Sequence, residues 1–242
     1  MKLKIKNALV SVSDKENINP LLQIFKKFKI KIISSGGTYK SITDLGYECT
    51  ELSKYTGFKE MLDGRVKTLH PKIHAGILHD RQNKFHTAEM SKSKFPPIDL
   101  IVVNFYPFQK VVKNSRNSEN IIKNIDIGGP TMVRAAAKNF KNVVIITNKN
   151  DYSALIKELK KNKGKTDLRF RELMSSKAFG LTAYYDAMIA NWFNNKLNIK
   201  FPERKTVFGK KLKDLRYGEN PHQSSSVYIS DYDDQKLGFT QL

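Results

Sequence analysis

Short apolar runs alternate with amphipathic stretches along roughly the first 150 residues of the chain. Unbroken aliphatic runs are typical of strands covered on both faces, whereas apolar residues recurring every three or four positions indicate helices. The predicted strands cover residues 7–12, 30–34, 76–79, 100–105 and 143–147. The predicted helices cover residues 17–28, 39–45, 119–124, 130–139 and 152–161. This alternation predicts an α/β fold with a mainly parallel sheet.

The pattern changes in the last third of the chain. Apolar side chains recur at helical spacing over residues 167–197, which predicts one or two helices packed on the sheet or on a partner chain. Beyond Pro202 the chain becomes basic and irregular. We therefore expect one domain over residues 1–200 and a linker with the start of another domain over residues 201–242, a segment too short for a core of its own.

Composition narrows the protein class. The apolar runs are much shorter than the ~20 residues that span a bilayer, and no apolar segment like that of a secretory signal follows the basic start MKLKIK. Cys49, the single cysteine of the sequence, argues against a disulfide framework or a Cys-rich zinc site. We expect a soluble cytoplasmic protein with no membrane partner.

The charge allows three interpretations. A formal net charge of +20 is typical of nucleic-acid-binding proteins. The basic residues are nevertheless spread along the chain, with a local excess over residues 196–216, and abundant Lys, Ile and Asn are also typical of proteins from AT-rich genomes. An exposed, hydrated surface is favoured over a nucleic-acid patch, and attraction of anionic substrates is the third interpretation.

Two predicted strands end in small polar residues. The second strand runs into a glycine turn and a helix, where backbone N–H groups can face a phosphate, and an ordinary capped turn is the alternative. The first strand ends in hydroxyls and a lysine that suit a phosphorylated sugar, although helix capping explains them equally well. The candidate residues are Ser11, Ser13 and Lys15 on the first strand, and Ser35, Gly36, Gly37 and Thr38 on the second.

A third candidate segment, residues 64–71, is bounded by glycine and proline. Arg65 could bind an oxyanion or a base carbonyl in a bidentate manner, Lys67 would act as a point charge, and Thr68 adds a hydroxyl; a surface loop would also tolerate these residues. His70 and His74 follow at a spacing that suggests a metal. However, the intervening proline argues against a shared helix face, so no metal site is expected.

Two later segments carry further polar groups. Asn104 and Tyr106 follow an apolar strand and would share one face of it. Asp126 and Gly128 precede a predicted helix that carries Lys138, so a carboxylate and an ammonium form a possible acid/base pair. Taken alone, the same pattern could be simple helix capping.

Six motifs together resemble one family. The chain closely resembles the bifunctional purine-biosynthesis enzymes that join phosphoribosylaminoimidazolecarboxamide (AICAR) transformylase to IMP cyclohydrolase, in the segments SVSDK, SSGGT, GRVKTLHPKIHAGIL, VVNFYPF, IDIGGPTMVRAAAKN and LRYGENPHQ. The resemblance implies a methylglyoxal-synthase-like three-layer sandwich with a mainly parallel sheet, followed by C-terminal helices and an incomplete second domain. It also implies closure of the formylated ribotide FAICAR to IMP with loss of water.

The resemblance assigns roles residue by residue. Lys67, Tyr106, Asp126 and Lys138 are the implied catalytic residues, with Asp126 receiving a carboxamide proton and Lys138 stabilising the oxyanion. The implied ribose and phosphate contacts are Ser11, Ser13, Lys15, Ser35, Gly36, Gly37, Thr38 and Thr68. The implied base contacts are Arg65, Asn104 and Gly128. Ring closure needs no cofactor, and the partner is the small-molecule ribotide rather than a nucleic acid.

The resemblance also bears on the second activity. Arg216 and Tyr217 match residues that contact the transformylase substrate, and that half would use 10-formyltetrahydrofolate. The family's downstream catalytic pair is missing from the sequence, so we expect no transformylase activity and a homodimer that is weakened. Methylglyoxal synthase, and a non-catalytic regulatory module of the same fold, remain the alternatives.

Overall fold

The computed structural model describes residues 2–229, so residues 230–242 of the predicted second segment lie outside the described part. Nine strands are described, of which five form one sheet. Their bounds are β1 Leu3–Lys4, β2 Asn7–Val12, β3 Lys31–Ser34, β4 Thr50–Glu51, β5 Leu100–Asn104, β6 Val144–Ile146, β7 Lys165–Thr166, β8 Lys210–Asp214 and β9 Ser226–Ile229. The five-stranded sheet has the order β4-β3-β2-β5-β6 with every neighbouring pair parallel.

Helices connect these strands. Their bounds are α1 Ile18–Lys27, α2 Gly36–Asp44, α3 Leu52–Thr56, α4 Pro71–Leu78, α5 Lys84–Lys92, α6 Phe108–Asn114, α7 Ser118–Lys123, α8 Gly128–Lys138, α9 Tyr152–Lys161 and α10 Leu168–Lys196. Two short 3-10 turns lie at Leu62–Gly64 and Lys149–Asp151. Strands β2, β3, β5 and β6 are almost entirely buried, as their unbroken apolar runs predict.

The predicted α/β class and parallel sheet are confirmed, with local differences. Residues 76–79, predicted to be a strand, lie at the end of α4. Pro71 starts that helix at its first position, where a proline costs no hydrogen bond, so an apolar run after a proline became helix rather than strand. The apolar residues over 167–197 form the single helix α10.

The chain forms two compact units. The first ends at Thr182 and contains the five-stranded sheet, and the second begins at Ala183, so the dividing point lies within α10. In the second unit, β8 and β9 pair antiparallel, and the rings of Tyr184 and Phe208 meet edge to face at 5.2 Å. The domain boundary expected near residue 200 stays a prediction.

None of the helices described between residues 2 and 229 has the length and apolar character that crossing a bilayer requires.

Candidate active site

The order of the strands locates the site. The chain that follows β2 continues to β3 on one side, and the chain that follows β5 continues to β6 on the other side. These two connections diverge beyond the carboxyl ends of the neighbouring strands β2 and β5 and leave a crevice there. Ligands of open α/β sheets bind at such a point, beyond the carboxyl ends of the strands. In this chain a cavity of about 980 Å³ opens there. Its walls come from the ends of β2 and β5, the starts of α2 and α8, the 63–68 segment and α7.

Most of the predicted site residues line this cavity. They are Ser11, Ser13, Lys15, Ser35, Gly37, Thr38, Arg65, Lys67, Thr68, Asn104, Tyr106, Asp126 and Gly128. Segments that are far apart in sequence are therefore brought to one hollow. Their individual chemical roles stay predictions.

Positive charge and hydrogen-bond donors come together at the start of α2. The N-terminal N–H groups of α2 have no acceptor within the helix, and Ser35 makes no capping hydrogen bond through its side chain. Gly36 has a left-handed φ of 55°, and a Cβ built on it would lie 3.4 Å from Nζ of Lys67. A Cβ built on Gly37 would lie 3.8 Å from Nζ of Lys15. Two ammonium groups and a helix N-terminus thus converge at one point.

Two of the predicted hydroxyl contacts lie close to neighbouring segments of the chain. The Thr38 hydroxyl donates to the carbonyl oxygen of Val12 at 2.9 Å and accepts from the Val12 N–H at 3.1 Å, which fastens α2 to the end of β2. Thr68 is buried, and a Cβ built on Gly128 would lie only 2.2 Å from its hydroxyl oxygen. A side chain at residue 128 would therefore displace either the Thr68 hydroxyl or the start of α8.

Asn104 joins the two central strands across the crevice. Its side-chain oxygen accepts from the backbone N–H of Ser13 at 2.6 Å and from the Ser13 hydroxyl at 2.8 Å, and its Nδ2 donates to the carbonyl of Asp14 at 2.9 Å. The predicted role of Asn104 was contact with a base. The structure shows that its side chain fixes the loop that follows β2.

Asp126 lies two residues before the start of α8 and lines the same cavity. Its Oδ1 accepts the N–H of Gly129 at 2.9 Å. Burial raises the pKa of this carboxyl above its ordinary value, opposed by the hydrogen bond from Gly129 and by the charge of Lys67. A desolvated carboxylate with a raised pKa is a better proton acceptor than an exposed one. Such a group is a typical candidate for a functional site.

The cations on the 63–68 segment have different surroundings. Lys67 is partly buried and lies 3.9 Å from the Glu60 carboxylate, whereas Arg65 is exposed at the mouth of the cavity. Tyr106 is 52% exposed, so its ring edges the opening rather than the floor. Lys67 is thus the one of these three that approaches both the glycine turn and the Asp126 carboxylate.

Four predicted residues do not line the cavity: Gly36, which lies in the glycine turn beside it, and Lys138, Arg216 and Tyr217. Lys138 is exposed at the last turn of α8, about 15 Å along the helix from Gly128 at the first turn, since an α-helix rises 1.5 Å per residue. The expected pairing of Asp126 with Lys138 is therefore not seen within one chain, because α8 separates them. Arg216 and Tyr217 are exposed in the connection between β8 and β9, in the second unit.

The two histidines lie on either side of Pro71. His70 is the extended residue before α4 and accepts the N–H of Lys72 at its Nδ1 (3.1 Å), whereas His74 lies within the helix that Pro71 begins. Burial lowers the pKa of His74. Over the described residues, 2–229, the structure contains no group of three or more side chains suited to hold a metal ion.

Sequence reasoning missed one wall of the cavity. The α7 region lines the same cavity as Asp126, through Glu119, Asn120, Ile122, Lys123 and Asn124. The helix predicted over residues 119–124 ends two residues before Asp126, so the short connection requires this helix to lie beside the Asp126 carboxylate. That spacing was the available signal.

Comparisons with known proteins agree with this geometry. Residues 17–131 match the MGS-like domain, and residues 136–242 match the AICARFT/IMPCHase bienzyme. A relative from Bradyrhizobium diazoefficiens, called bifunctional purine biosynthesis protein PurH, is 46% identical over 94% of this chain. The chain belongs to the AICARFT/IMPCHase bienzyme family.

Other members of the family show the same relationship. A PurH protein from Clostridium kluyveri is 46% identical over 98% of this chain. The chain spans only 43% of the Bradyrhizobium relative and 47% of the Clostridium relative. The crystal structure of ForH superimposes with a TM-score of 0.70 at 31% identity, covering 78% of this chain and 99% of that one.

Proposed function

We propose that this chain is an IMP cyclohydrolase, which closes FAICAR to IMP. The observation that supports this best is the joint location of an anion-binding helix start and a desolvated carboxylate in one cavity at the switch point of the sheet. Membership of the AICARFT/IMPCHase bienzyme family supports the same substrate class.

The phosphate of the ribotide is proposed to bind at the start of α2. The ammonium groups of Lys15 and Lys67 and the free N–H groups around Gly36 and Gly37 supply positive charge and hydrogen-bond donors there. A phosphate dianion at a helix N-terminus interacts with both the N–H groups and the helix dipole. The ribose and base then extend along the cavity towards Asp126.

Ring closure needs a proton acceptor at the other end. The carboxamide nitrogen attacks the formyl carbon, so a C–N bond forms and the formyl oxygen becomes an oxyanion. One proton from the carboxamide nitrogen and one from the formamide nitrogen convert this oxygen to water as its C–O bond breaks. Asp126 is proposed to take the carboxamide proton. Lys67 and the N–H groups at the start of α8 lie where they could stabilise the oxyanion. The step balances with release of one water and requires no redox partner or group donor.

Holding the two reacting atoms together is proposed to supply much of the rate. The reaction is intramolecular, so fixing the phosphate at one end and the base at the other restricts the substrate to conformations near attack. Lys138 is left out of this chemistry because it lies outside the cavity.

The test replaces the proposed base. Asp126→Asn is expected to lower ring closure by at least ~100-fold, because an amide cannot accept the proton. The assay supplies FAICAR directly and follows IMP by absorbance, so it does not depend on a formyl-transfer step. Asp44→Asn, at an exposed residue outside the cavity, is the matched control and should retain full activity. Turnover of Asp126→Asn within a few-fold of the original would contradict the assigned role.

A regulatory module of the same fold is the second candidate function. Its supporting observation is that Lys138, one of the residues implied to be catalytic, lies away from the cavity. A module of this kind would bind IMP without converting FAICAR. The original chain therefore separates the two: binding with turnover supports the enzyme, and binding without turnover supports the module.

A further inference from the structure

Two acidic residues flank a lysine of the proposed phosphate-binding end. Asp14 and Glu16 lie on either side of Lys15, on the loop that connects β2 to α1. Without a partner, either carboxylate could pair with the Lys15 ammonium. They would also repel a phosphate dianion bound at the start of α2.

The structure turns both acids away from the cavity. Nζ of Lys149 lies 2.8 Å from Oδ2 of Asp14 and also contacts the Glu16 carboxylate. Lys149 lies in the 3-10 turn that follows β6, and β6 is the strand next to β5, so Lys149 and Asn104 both reach the loop from the β5 side of β2. Cavity-lining side chains within the described part include Lys15 but neither of the two acids nor Lys149.

The residues on both sides of Lys15 in the sequence are held by other segments. Asn104 bonds to Ser13 and to the Asp14 carbonyl, and Lys149 contacts the Asp14 and Glu16 carboxylates. Nζ of Lys15 points back, donating to the Ser13 carbonyl at 3.3 Å beside Gly37. The hydrogen bond from Lys149 also lowers the pKa of Asp14, so this carboxylate stays charged and paired.

We infer that Lys149 is a positioning residue for the phosphate subsite: it binds Asp14 and Glu16 on the outer side of the loop and so leaves the Lys15 ammonium free to bind the phosphate of a ribotide. This inference rests on the phosphate end of the proposed function. It does not depend on which base the ligand carries or on the chemistry at Asp126.

The test measures binding of ribose 5-phosphate by calorimetry, with ribose as the uncharged comparison. Lys149→Met should weaken binding of ribose 5-phosphate by about three- to tenfold, since two carboxylates then face the subsite unneutralised. Binding of ribose should stay the same. Lys149→Arg should retain the affinity of the original chain.

A charge-balanced variant separates this role from a general loss of structure. In the triple variant Asp14→Asn, Glu16→Gln, Lys149→Met, the acids are absent, so affinity for ribose 5-phosphate should return to within twofold of the original. Lys211→Met is the matched control, because Lys211 pairs with Asp214 in an exposed ion pair of the second unit and not with either acid of this loop. It should bind ribose 5-phosphate normally.

The outcomes are distinguishable from those of the proposed function. The inference is overturned if Lys149→Met binds as tightly as the original, if the triple variant stays weak, or if the original chain does not bind ribose 5-phosphate. Failure of the chain to convert FAICAR, together with the expected series of affinities, would overturn the cyclohydrolase proposal and leave the role of Lys149 supported.

Discussion

At the scale of single residues, Asp126 combines a functional feature with a cost in stability. Burial raises the pKa of its carboxyl in the folded chain. The folded state therefore binds the proton more tightly than the unfolded state, and stability is lost as the pH rises from the ordinary carboxyl pKa through the raised one. Below the ordinary pKa both states are protonated and the cost disappears.

The direction of this pKa shift predicts how Asp126→Asn affects the stability of the folded chain. The amide oxygen can still accept the Gly129 N–H, but it carries no charge to desolvate. At pH 7 the variant should therefore melt about 1–3 °C higher than the original chain, although its ring closure is lost. Thermal unfolding followed by circular dichroism between pH 3 and pH 8 would show the difference shrinking to zero on the acid side. A variant that is less stable at pH 7 would show that the charge stabilises the start of α8.

At the scale of secondary-structure elements, the start of α8 depends on the absence of side chains. A Cβ on Gly128 would lie 2.2 Å from the Thr68 hydroxyl, and one on Gly129 would lie 2.4 Å from Oδ2 of Asp126. Gly180, on an exposed stretch of α10, has nothing within 4 Å of its Cβ position. The same substitution therefore has opposite consequences on two helices.

Gly→Ala substitutions test this contrast. Gly128→Ala should reduce ring closure by at least ~10-fold and lower stability, because Thr68 or the start of α8 must move. Gly180→Ala should retain full activity and raise the free energy of unfolding by about 0.5–1 kcal/mol, since alanine is the better helix former. The measurements are IMP formation from FAICAR and urea unfolding. Equal behaviour of the two variants would contradict the close packing described for Thr68.

The same elements show what the sequence could and could not predict. The four buried strands β2, β3, β5 and β6 were predictable because unbroken aliphatic runs are typical of strands covered on both faces. The strand β4 and the helix α3 were missed, since residues 50–56 are short and mixed in polarity. At the site, motifs identified which segments meet, but not that Asn104 and Thr38 bond to neighbouring backbone, because hydrogen-bond partners depend on the packing of distant segments.

At the scale of the whole molecule, a buried guanidinium links α10 to the rest of the first unit. Arg171 is completely buried, and it bonds to backbone carbonyls from two other regions of the chain. It donates to Phe140 at 2.8 Å and Lys141 at 3.2 Å before β6, and to Thr166 at 2.7 Å in β7. Burial lowers the pKa of Arg171, partly offset by the charge of Asp167.

Arg171→Met should therefore lower the free energy of unfolding by about 3–5 kcal/mol, because it leaves several buried carbonyls without their donor while keeping a similar apolar volume. Arg169→Met, at an exposed arginine two residues away on the same helix, should change stability by about 0.5 kcal/mol or less. Urea unfolding followed by circular dichroism measures both. The cavity residues lie on other elements, so folded Arg171→Met should still bind ribose 5-phosphate with the original affinity. A loss of stability no greater than that of Arg169→Met would mean that water replaces the guanidinium, and that apolar packing alone holds α10 in the first unit.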